Sequence, residues 1–150
     1  MKILYTLGNF TNAGNQILLY TINNQNKPVE DYQKLVDNCF ANSISPVQQI
    51  MEGSKGANPT MISDVVWMQT SGSKHIAAGI WQESSESIVD KDAFRLVLRS
   101  VCKKAMSLDQ DKVSMPLLTI NHSLDLWNEI YPIIEEEFSI PDIQVIVHIP

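Results

Sequence analysis

Residues 111–149 read DKVSMPLLTINHSLDLWNEIYPIIEEEFSIPDIQVIVHI. The run begins with an apolar strand, Val113–Leu118, which Pro116 bends or ends because proline cannot donate a hydrogen bond to a sheet. It closes with Ile143–Ile149, an apolar and β-branched segment that is typical of a strand. Between them, apolar residues recur at helical spacing; they are Trp127, Ile130, Tyr131, Ile134 and Phe138. The stretch therefore predicts a strand, a helix and a second strand in succession.

Two details of this stretch make the prediction more specific. Pro132 lies inside the predicted helix and indicates a kink or a late start. The apolar stripe predicts that Trp127 is buried together with Ile130, Tyr131 and Ile134. The final strand is apolar without interruption, so we expect it to pair inside the sheet and to be covered on both faces.

The same patterns continue toward the N-terminus. Four further strands are predicted, at Lys2–Thr6, Gln16–Ile22, Ser63–Gln69 and Lys74–Trp81, the last two forming a hairpin. Helices are predicted at 29–41, as a short helix after Pro46, and from Asp90 onward. This order of strands and helices predicts an α/β fold with a mixed sheet. No linker or repeat divides the 150 residues, so a single domain over residues 1–150 is expected.

Charge and hydropathy narrow the classes of partner. The formal net charge of -6 provides no basic surface for nucleic acid or for an anionic membrane. No apolar run approaches the roughly 20 residues that a membrane-spanning helix needs. The opening residues, Met1–Thr6, are too short an apolar run for a secretory signal, so we expect a cytoplasmic protein.

Acidic residues are concentrated in the C-terminal part of the chain. From residue 111 onward Lys112 is the one basic residue. It stands against Asp111, Asp125, Glu129, Glu135, Glu136, Glu137 and Asp142. Two interpretations remain open: a solvated face of the last helix, or a docking surface for a basic protein partner.

Residues that bind metals or act as nucleophiles are sparse. Cys39 and Cys102 stand alone, and His75, His122 and His148 are scattered along the chain. Neither set has the spacing of a zinc or redox site, and no nucleophile motif is present. We therefore expect no metal and no cofactor.

Glycine is absent beyond Gly79, and neither a Walker loop nor a GxGxxG motif occurs. The segment Thr119–Ser123 nevertheless joins a strand end to a helix N-terminus, the usual ligand position in such folds. Without glycine its backbone cannot approach a pyrophosphate as closely. Ser123 or Asn121 is alternatively the cap of the helix.

A family resemblance follows from these residues. The segments Ser114–Pro116, Leu124–Phe138 and Asp142–Val147 resemble macro domains, above all the small single-domain branch with ADP-ribosyl-glutamate hydrolases and ADP-ribose-1″-phosphate phosphatases. The opening Tyr5–Thr11 is similar to the region of their Gly-Asp-Ile-Thr turn, and Leu18–Asn24 to their second strand. The resemblance implies a three-layer α/β/α macro-like domain with a central mixed β-sheet.

The resemblance also implies a ligand and the residues that contact it. The ligand is ADP-ribose or a related nucleotide. The residues expected to bind it are Gly8, Asn9, Phe10, Thr11, Asn23, Thr119, Ile120, Asn121, His122 and Ser123.

Departures from the family pattern concern its reactive groups. Asn9 stands where the family has the Asp that binds the adenine amine, and Thr119 and Asn121 stand at glycine positions. The catalytic lysine and aspartate of the hydrolase branch fall on Gln82 and Ser123. The expected function is therefore binding of ADP-ribose without catalysis. The alternatives are a protein-interaction domain with a lapsed nucleotide site and an active hydrolase or phosphatase.

Overall fold

The structure, a computed structural model, describes residues 3–8, 17–22, 65–69, 75–80, 90–118 and 124–149. These residues include six strands of one sheet. The strands are β1 (Leu4–Leu7), β2 (Ile17–Ile22), β3 (Val65–Gln69), β4 (His75–Ile80), β5 (Lys112–Pro116) and β6 (Gln144–Ile149). Every predicted strand is present, and β5 ends at Pro116 as its missing donor predicts. The predicted helices at 29–41 and after Pro46 lie outside the described residues.

The sheet is mixed, as predicted. Its strand order is β1-β6-β5-β2-β4-β3. All neighbouring strands run parallel except β3, which pairs antiparallel with β4 in the arrangement expected of a hairpin. The strand β6 lies between β1 and β5, so the prediction that it pairs inside the sheet is confirmed. In the register of β1 with β6, Tyr5 pairs with Val147.

The centre of the sheet is covered on both faces. Residues Ile17–Tyr20 of β2 are fully buried, although successive side chains of a strand point to opposite faces. Two helices, α1 (Lys91–Ser107) and α2 (Asp125–Ser139), contact each other and pack on the sheet beside β4 and β6. The apolar strands and the apolar stripes of these two helices form the core.

The start and buried face of α1 follow directly from its sequence. Asp90 caps the helix, since its Oδ1 accepts a hydrogen bond from the backbone N–H of Ala93 at 3.0 Å. The predicted apolar stripe is buried throughout; it comprises Phe94, Val97, Leu98, Val101 and Ala105.

The helix α2 corrects two expectations. It begins at Asp125 and continues through Pro132, so the late start, one of the two alternatives predicted from Pro132, is wrong. Tyr131 is exposed, whereas the stripe predicted it to be buried. The buried face also includes Leu126 and Ile133, so its centre is rotated toward these residues and Tyr131 falls at its margin. Trp127, Ile130, Ile134 and Phe138 are buried as predicted.

Both helices end without glycine. Asp109 follows α1 with φ 56° and Asp142 follows α2 with φ 55°, a left-handed conformation in which glycine is the usual residue. The chain then turns back, because the N–H of Gln110 donates to Ala105 and the N–H of Ile143 donates to Phe138. Aspartate tolerates this conformation better than most residues, so the absence of glycine beyond residue 79 does not prevent tight helix ends.

Candidate functional site

The carboxyl ends of the five parallel strands meet at one edge of the sheet. Gly8 follows β1 there, Leu117 and Leu118 follow β5, and α2 begins at the same edge after Leu124. Ligands of open α/β sheets bind at this edge because loops and helix N-termini converge on it. We refer to this region as the carboxyl edge.

Gly8 shapes the turn at the end of β1. Its φ is +119°, a conformation that L side chains rarely adopt. Its backbone N–H donates to the carbonyl oxygen of Ile149 at 2.8 Å, which extends the pairing of β1 with β6 by one residue. Among the described residues, no atom lies within 4 Å of the position that a Cβ would take. The turn is therefore fixed by its pairing with β6 and has a backbone that favours glycine.

The first turn of α2 faces the same edge. Leu124, its N-cap residue, makes no side-chain hydrogen bond to the helix. The helix dipole there favours an anion, although Asp125 already places a carboxylate in the first turn. The five residues that precede Leu124, Thr119–Ser123, are among those expected to contact the ligand.

A contact between Tyr5 and Trp127 joins β1 to α2. The indole Nε1–H of Trp127 donates to the Tyr5 hydroxyl oxygen at 3.0 Å. The two rings meet edge to face, with centroids 6.2 Å apart and planes at 77°. Tyr5 lies three residues before Gly8, and Trp127 lies three residues after Leu124. The contact therefore connects the two elements that carry the predicted ligand segments.

Known proteins resemble this chain in structure rather than in sequence. No protein-family model and no curated protein matches the sequence. A macrodomain protein from Streptomyces coelicolor superposes with a TM-score of 0.79 at 19% identity, covering 98% of this chain and 98% of that chain. The macrodomain of Mycobacterium tuberculosis DarG superposes with a TM-score of 0.75 at 16% identity, covering 99% of this chain and 98% of that chain. The chain has the macrodomain fold.

A third structure, a protein from Bacteroides thetaiotaomicron, has a TM-score of 0.79 at 19% identity and covers 99% of this chain and 100% of that chain. The macrodomain fold confirms the predicted three-layer α/β/α class. Of the predicted ligand-binding residues the structure describes Gly8, which lies at the carboxyl edge. The others lie outside the described residues; they are Asn9, Phe10, Thr11, Asn23, Thr119, Ile120, Asn121, His122 and Ser123. Gln82 lies outside them as well.

Sequence reasoning did not foresee a buried pair between two strands of the macrodomain sheet. The Nε2 atom of His148 in β6 lies 3.1 Å from the hydroxyl of Ser114 in β5. Burial lowers the pKa of His148 from its ordinary value of 6.5, so the ring is neutral at pH 7. Ser114 is fully buried and no substrate can reach its hydroxyl. The pair is therefore structural, and one signal for it was a histidine inside an otherwise apolar strand.

Cys102 supplies no reactive thiolate. Its side chain is buried against α2, and its Sγ donates to the carbonyl oxygen of Glu137 at 3.8 Å. Burial, with a smaller contribution from the charge of Glu137, raises the pKa of the thiol to about 11. At neutral pH the group is an uncharged thiol, in keeping with the absence of a nucleophile motif.

Part of the acidic run on α2 is neutralised by α1. The carboxylate of Glu137 contacts Arg95 at 3.2 Å and Arg99 at 3.1 Å, and Arg95 also contacts Glu136 at 3.1 Å. The side chains of the two arginines lie against these glutamates, so they do not form a separate positive surface. This surface carries less net negative charge than the sequence indicates.

The opposite edge of the sheet has a different character. A depression of about 390 Å³ lies there between the ends of α1 and α2 and the starts of β5 and β6. Its lining residues are Met106, Asp109, Gln110, Asp111, Pro141, Asp142 and Ile143. Three carboxylates make it unsuitable for a phosphate-bearing ligand.

Within the described ranges no three His, Cys, Asp or Glu side chains are grouped closely enough to hold a metal ion. In the same part of the chain no helix has the length and apolar character needed to cross a membrane.

Proposed function

We propose that this macrodomain binds ADP-ribose or a related nucleotide at the carboxyl edge without catalysing a reaction. The observation that carries the proposal is the turn at Gly8. It has a left-handed backbone and lies at the end of β1, on the same edge of the sheet as the first turn of α2. In the resembling family the equivalent turn contacts the nucleotide.

The sequence supports binding rather than turnover. Gln82 and Ser123 stand where the hydrolase branch has its lysine and its aspartate. A glutamine amide forms no Schiff base, and a serine hydroxyl is a far weaker base than a carboxylate. The proposal therefore assigns recognition to the site and no chemical step.

The interaction-domain alternative has less support. It requires the acidic face of α2 to attract a basic partner. The ion pairs of Glu136 and Glu137 with Arg95 and Arg99 reduce the charge available for that attraction.

Isothermal titration calorimetry with ADP-ribose tests the binding proposal, with thermal unfolding as a second measurement. A ligand that binds only the native state raises the free energy of unfolding by about 2.7 kcal/mol at a concentration 100-fold above its Kd. We expect a rise in Tm that grows with ADP-ribose concentration. No heat and no shift at millimolar ADP-ribose would overturn the proposal.

Two variants locate the binding. Gly8→Ala strains the left-handed backbone and adds a methyl group to the turn, so we expect weaker ADP-ribose binding. Met106→Ala removes an exposed side chain at the opposite edge and should leave the Kd unchanged. Equal loss in both variants would contradict a site at the carboxyl edge.

Hydrolysis of an ADP-ribosylated glutamate substrate tests the absence of catalysis. We expect no release of ADP-ribose above the rate without protein, because neither reactive group of the hydrolase branch is present in register. Turnover that scales with protein concentration and survives purification would show an active hydrolase instead.

A further inference from the structure

The strand β1 forms one edge of the described sheet. Among the described residues β6 is the one strand that pairs with β1, and it lies on one side of it. Natural proteins usually protect such an edge with a charged residue, a proline or a bulge. The strand, Leu4–Leu7, contains no charged residue and no proline, and all four of its residues are exposed. Its outer side can therefore accept a further strand.

The backbone of β1 directs two residues to this outer side. The N–H of Gly8 points toward β6, where it donates to the carbonyl oxygen of Ile149 at 2.8 Å. Backbone N–H groups alternate in direction along a strand, so those of Tyr5 and Leu7 point away from β6. In an extended residue the carbonyl points to the same side as the N–H. Tyr5 and Leu7 together thus direct two donors and two acceptors outward.

The side chains of the same two residues belong to an exposed apolar patch. Tyr5 and Leu7 lie two positions apart, so both side chains point to the face of the sheet on which Tyr5 meets Trp127 of α2. Leu124 precedes Trp127 by three positions and Tyr131 follows it by four, so both lie on the same stripe of α2. Leu7 is 82% exposed, Leu124 52%, Tyr5 47% and Tyr131 36%. We refer to these four residues as the β1–α2 patch.

The charges of α2 lie away from the centre of this patch. Asp125 is two positions before Trp127, which places it on the opposite side of the helix. Glu136 and Glu137 lie on the side of α2 that contacts α1. On the stripe of the patch the first carboxylate is Glu135, one turn beyond Tyr131. An identical surface can therefore approach the patch without bringing carboxylates together at its centre, whereas a basic peptide would find little charge there to attract it.

We propose that two copies of this chain associate through β1 and the β1–α2 patch. The two β1 strands pair antiparallel about a two-fold axis perpendicular to the sheet, with Tyr5 of each copy opposite Leu7 of the other. The outward N–H and carbonyl groups of both residues then form hydrogen bonds, and the tyrosine ring packs on the leucine across the pair. Thr6 of each copy lies beside the axis. The same surface is used on both copies, as in most homodimers.

The size of the patch determines how strong this association is. Tyrosine and leucine side chains present on the order of 200 Å² each when fully exposed, so the patch offers about 400 Å² per copy. The backbone of β1 and the exposed side chains of Leu4 and Thr6 add to it. Two copies together bury roughly 1,000 Å², which is the lower limit for a specific interface. We therefore expect a weak and reversible dimer.

Sedimentation velocity at protein concentrations from about 1 μM to about 1 mM tests the proposal, and we expect the wild type to shift from monomer to dimer over this range. Leu7→Lys places a charge in the strand pair, a device that protects natural edge strands, and should raise the Kd of the dimer at least about tenfold. Leu96→Lys is the matched control because it adds the same charge at an exposed leucine of α1, and it should dimerise like the wild type.

The large exposure of Leu7 means that its substitution leaves the core intact, and circular dichroism verifies that each variant is folded. A wild type that remains monomeric at about 1 mM would overturn the proposal. Equal dimerisation of Leu7→Lys and the wild type would overturn it as well.

Oxidative cross-linking tests the pairing of the strands. In the proposed register Thr6 and its counterpart form a non-hydrogen-bonded pair, whose Cα atoms lie about 4.5 Å apart and within reach of a disulfide. At a concentration where the wild type is dimeric, Thr6→Cys should yield a disulfide-linked dimer above the background set by the wild type's own cysteines. Leu96→Cys should yield no more than that background. A wild-type dimer that Thr6→Cys fails to link would overturn the proposed pairing.

Discussion

The two described helices of this protein begin in different ways. The start of α1 is held by Asp90, whose carboxylate accepts a hydrogen bond from an N–H three residues away. At the start of α2 the N-cap residue Leu124 makes no side-chain hydrogen bond to the helix. The first turn of α2 is joined instead to β1, through the hydrogen bond from Trp127 to Tyr5, 122 residues away in the chain. The described contact at one start is local, whereas the described contact at the other links distant parts of the chain.

This difference bears on the proposed ligand site. The first turn of α2 lies at the carboxyl edge, so its contact with β1 joins two elements of that edge. The capped helix α1 packs against α2. Binding sites are commonly built on segments positioned by a rigid scaffold, and the two helices divide these roles.

The largest expected effect comes from removing the buried anchor of α2. Trp127→Ala should lower the free energy of unfolding by about 3–5 kcal/mol, the usual cost of truncating a buried tryptophan. That is a large fraction of the roughly 5–15 kcal/mol that stabilises a domain. Denaturant unfolding followed by circular dichroism measures the change.

Leu96→Ala is the control for this variant, because Leu96 is an exposed apolar residue on the other helix. Its cost should stay within about 0.5 kcal/mol. A change below about 1 kcal/mol for Trp127→Ala would show that the side chain is not part of the core.

The sequence predicts the parts of this fold that depend on local contacts better than the parts that depend on distant ones. Strand periodicity and the stripe of Phe94, Val97 and Leu98 are local, so the strands and α1 were predicted closely. Asp90 was also recognisable as a helix start, since an aspartate cap acts within one turn. The exposure of Tyr131 was not predictable, because it depends on how α2 is rotated over the sheet.

In the candidate site, too, the sequence predicts local features better than contacts between distant residues. Gly8 was singled out because it follows a strand and belongs to a turn with a family resemblance, and the structure places it at the carboxyl edge. The pairing of Tyr5 with Trp127, and that of His148 with Ser114, joins residues of different strands and helices. No periodicity or spacing encodes such pairs, since they arise from the register of the sheet and the placement of α2.

A smaller effect is expected at the start of α1. Asp90→Ala removes the capping carboxylate and should cost about 1 kcal/mol. Asp90→Asn is the matched control, because its amide oxygen can accept the same hydrogen bond from Ala93 and should retain most of the stability. Unfolding midpoints of the two variants decide the matter. If Asp90→Ala unfolds like the wild type, α1 is not held by its cap and the contrast with α2 disappears.

Acidification should weaken the sheet on the face opposite to α1 and α2. Val147 of β6 pairs with Tyr5, whose side chain contacts α2. Because successive side chains of a strand point to opposite faces, His148 points to the other face of the sheet. The pKa of His148 is lowered in the folded protein, which therefore binds fewer protons than the unfolded chain below about pH 6.5. The free energy of unfolding should fall as the pH decreases from 7.5 to 5.5.

His148→Gln should reduce this slope without abolishing it, because the pKa of His75 is also lowered, by burial and by Lys104. Unfolding in denaturant at several pH values measures the slope. Identical slopes for wild type and His148→Gln would show that His148 does not titrate differently in the two states.

The smallest effect should arise where the two helices meet. Glu137 accepts hydrogen bonds from Arg99, through Nε at 3.1 Å and Nη2 at 3.2 Å, and from Arg95 at 3.2 Å, and these contacts hold its pKa below the ordinary value of 4.5. The carboxylate therefore contributes stability above pH 4.5, and this contribution is lost as the pH falls through the lowered pKa.

Glu137→Gln should be slightly less stable than the wild type at pH 7, and the difference should vanish in acid. Salt should reduce it too, because the arginines are partly exposed and such pairs are screened. Glu129→Gln, an exposed position on the same helix, is the control and should leave the free energy of unfolding at pH 7 nearly unchanged. Since Glu137 and Glu129 are not among the residues expected to bind the nucleotide, ADP-ribose affinity should be the same in both variants. A stability difference that grows as the pH falls would contradict the assignment of this ion pair as the link between α1 and α2.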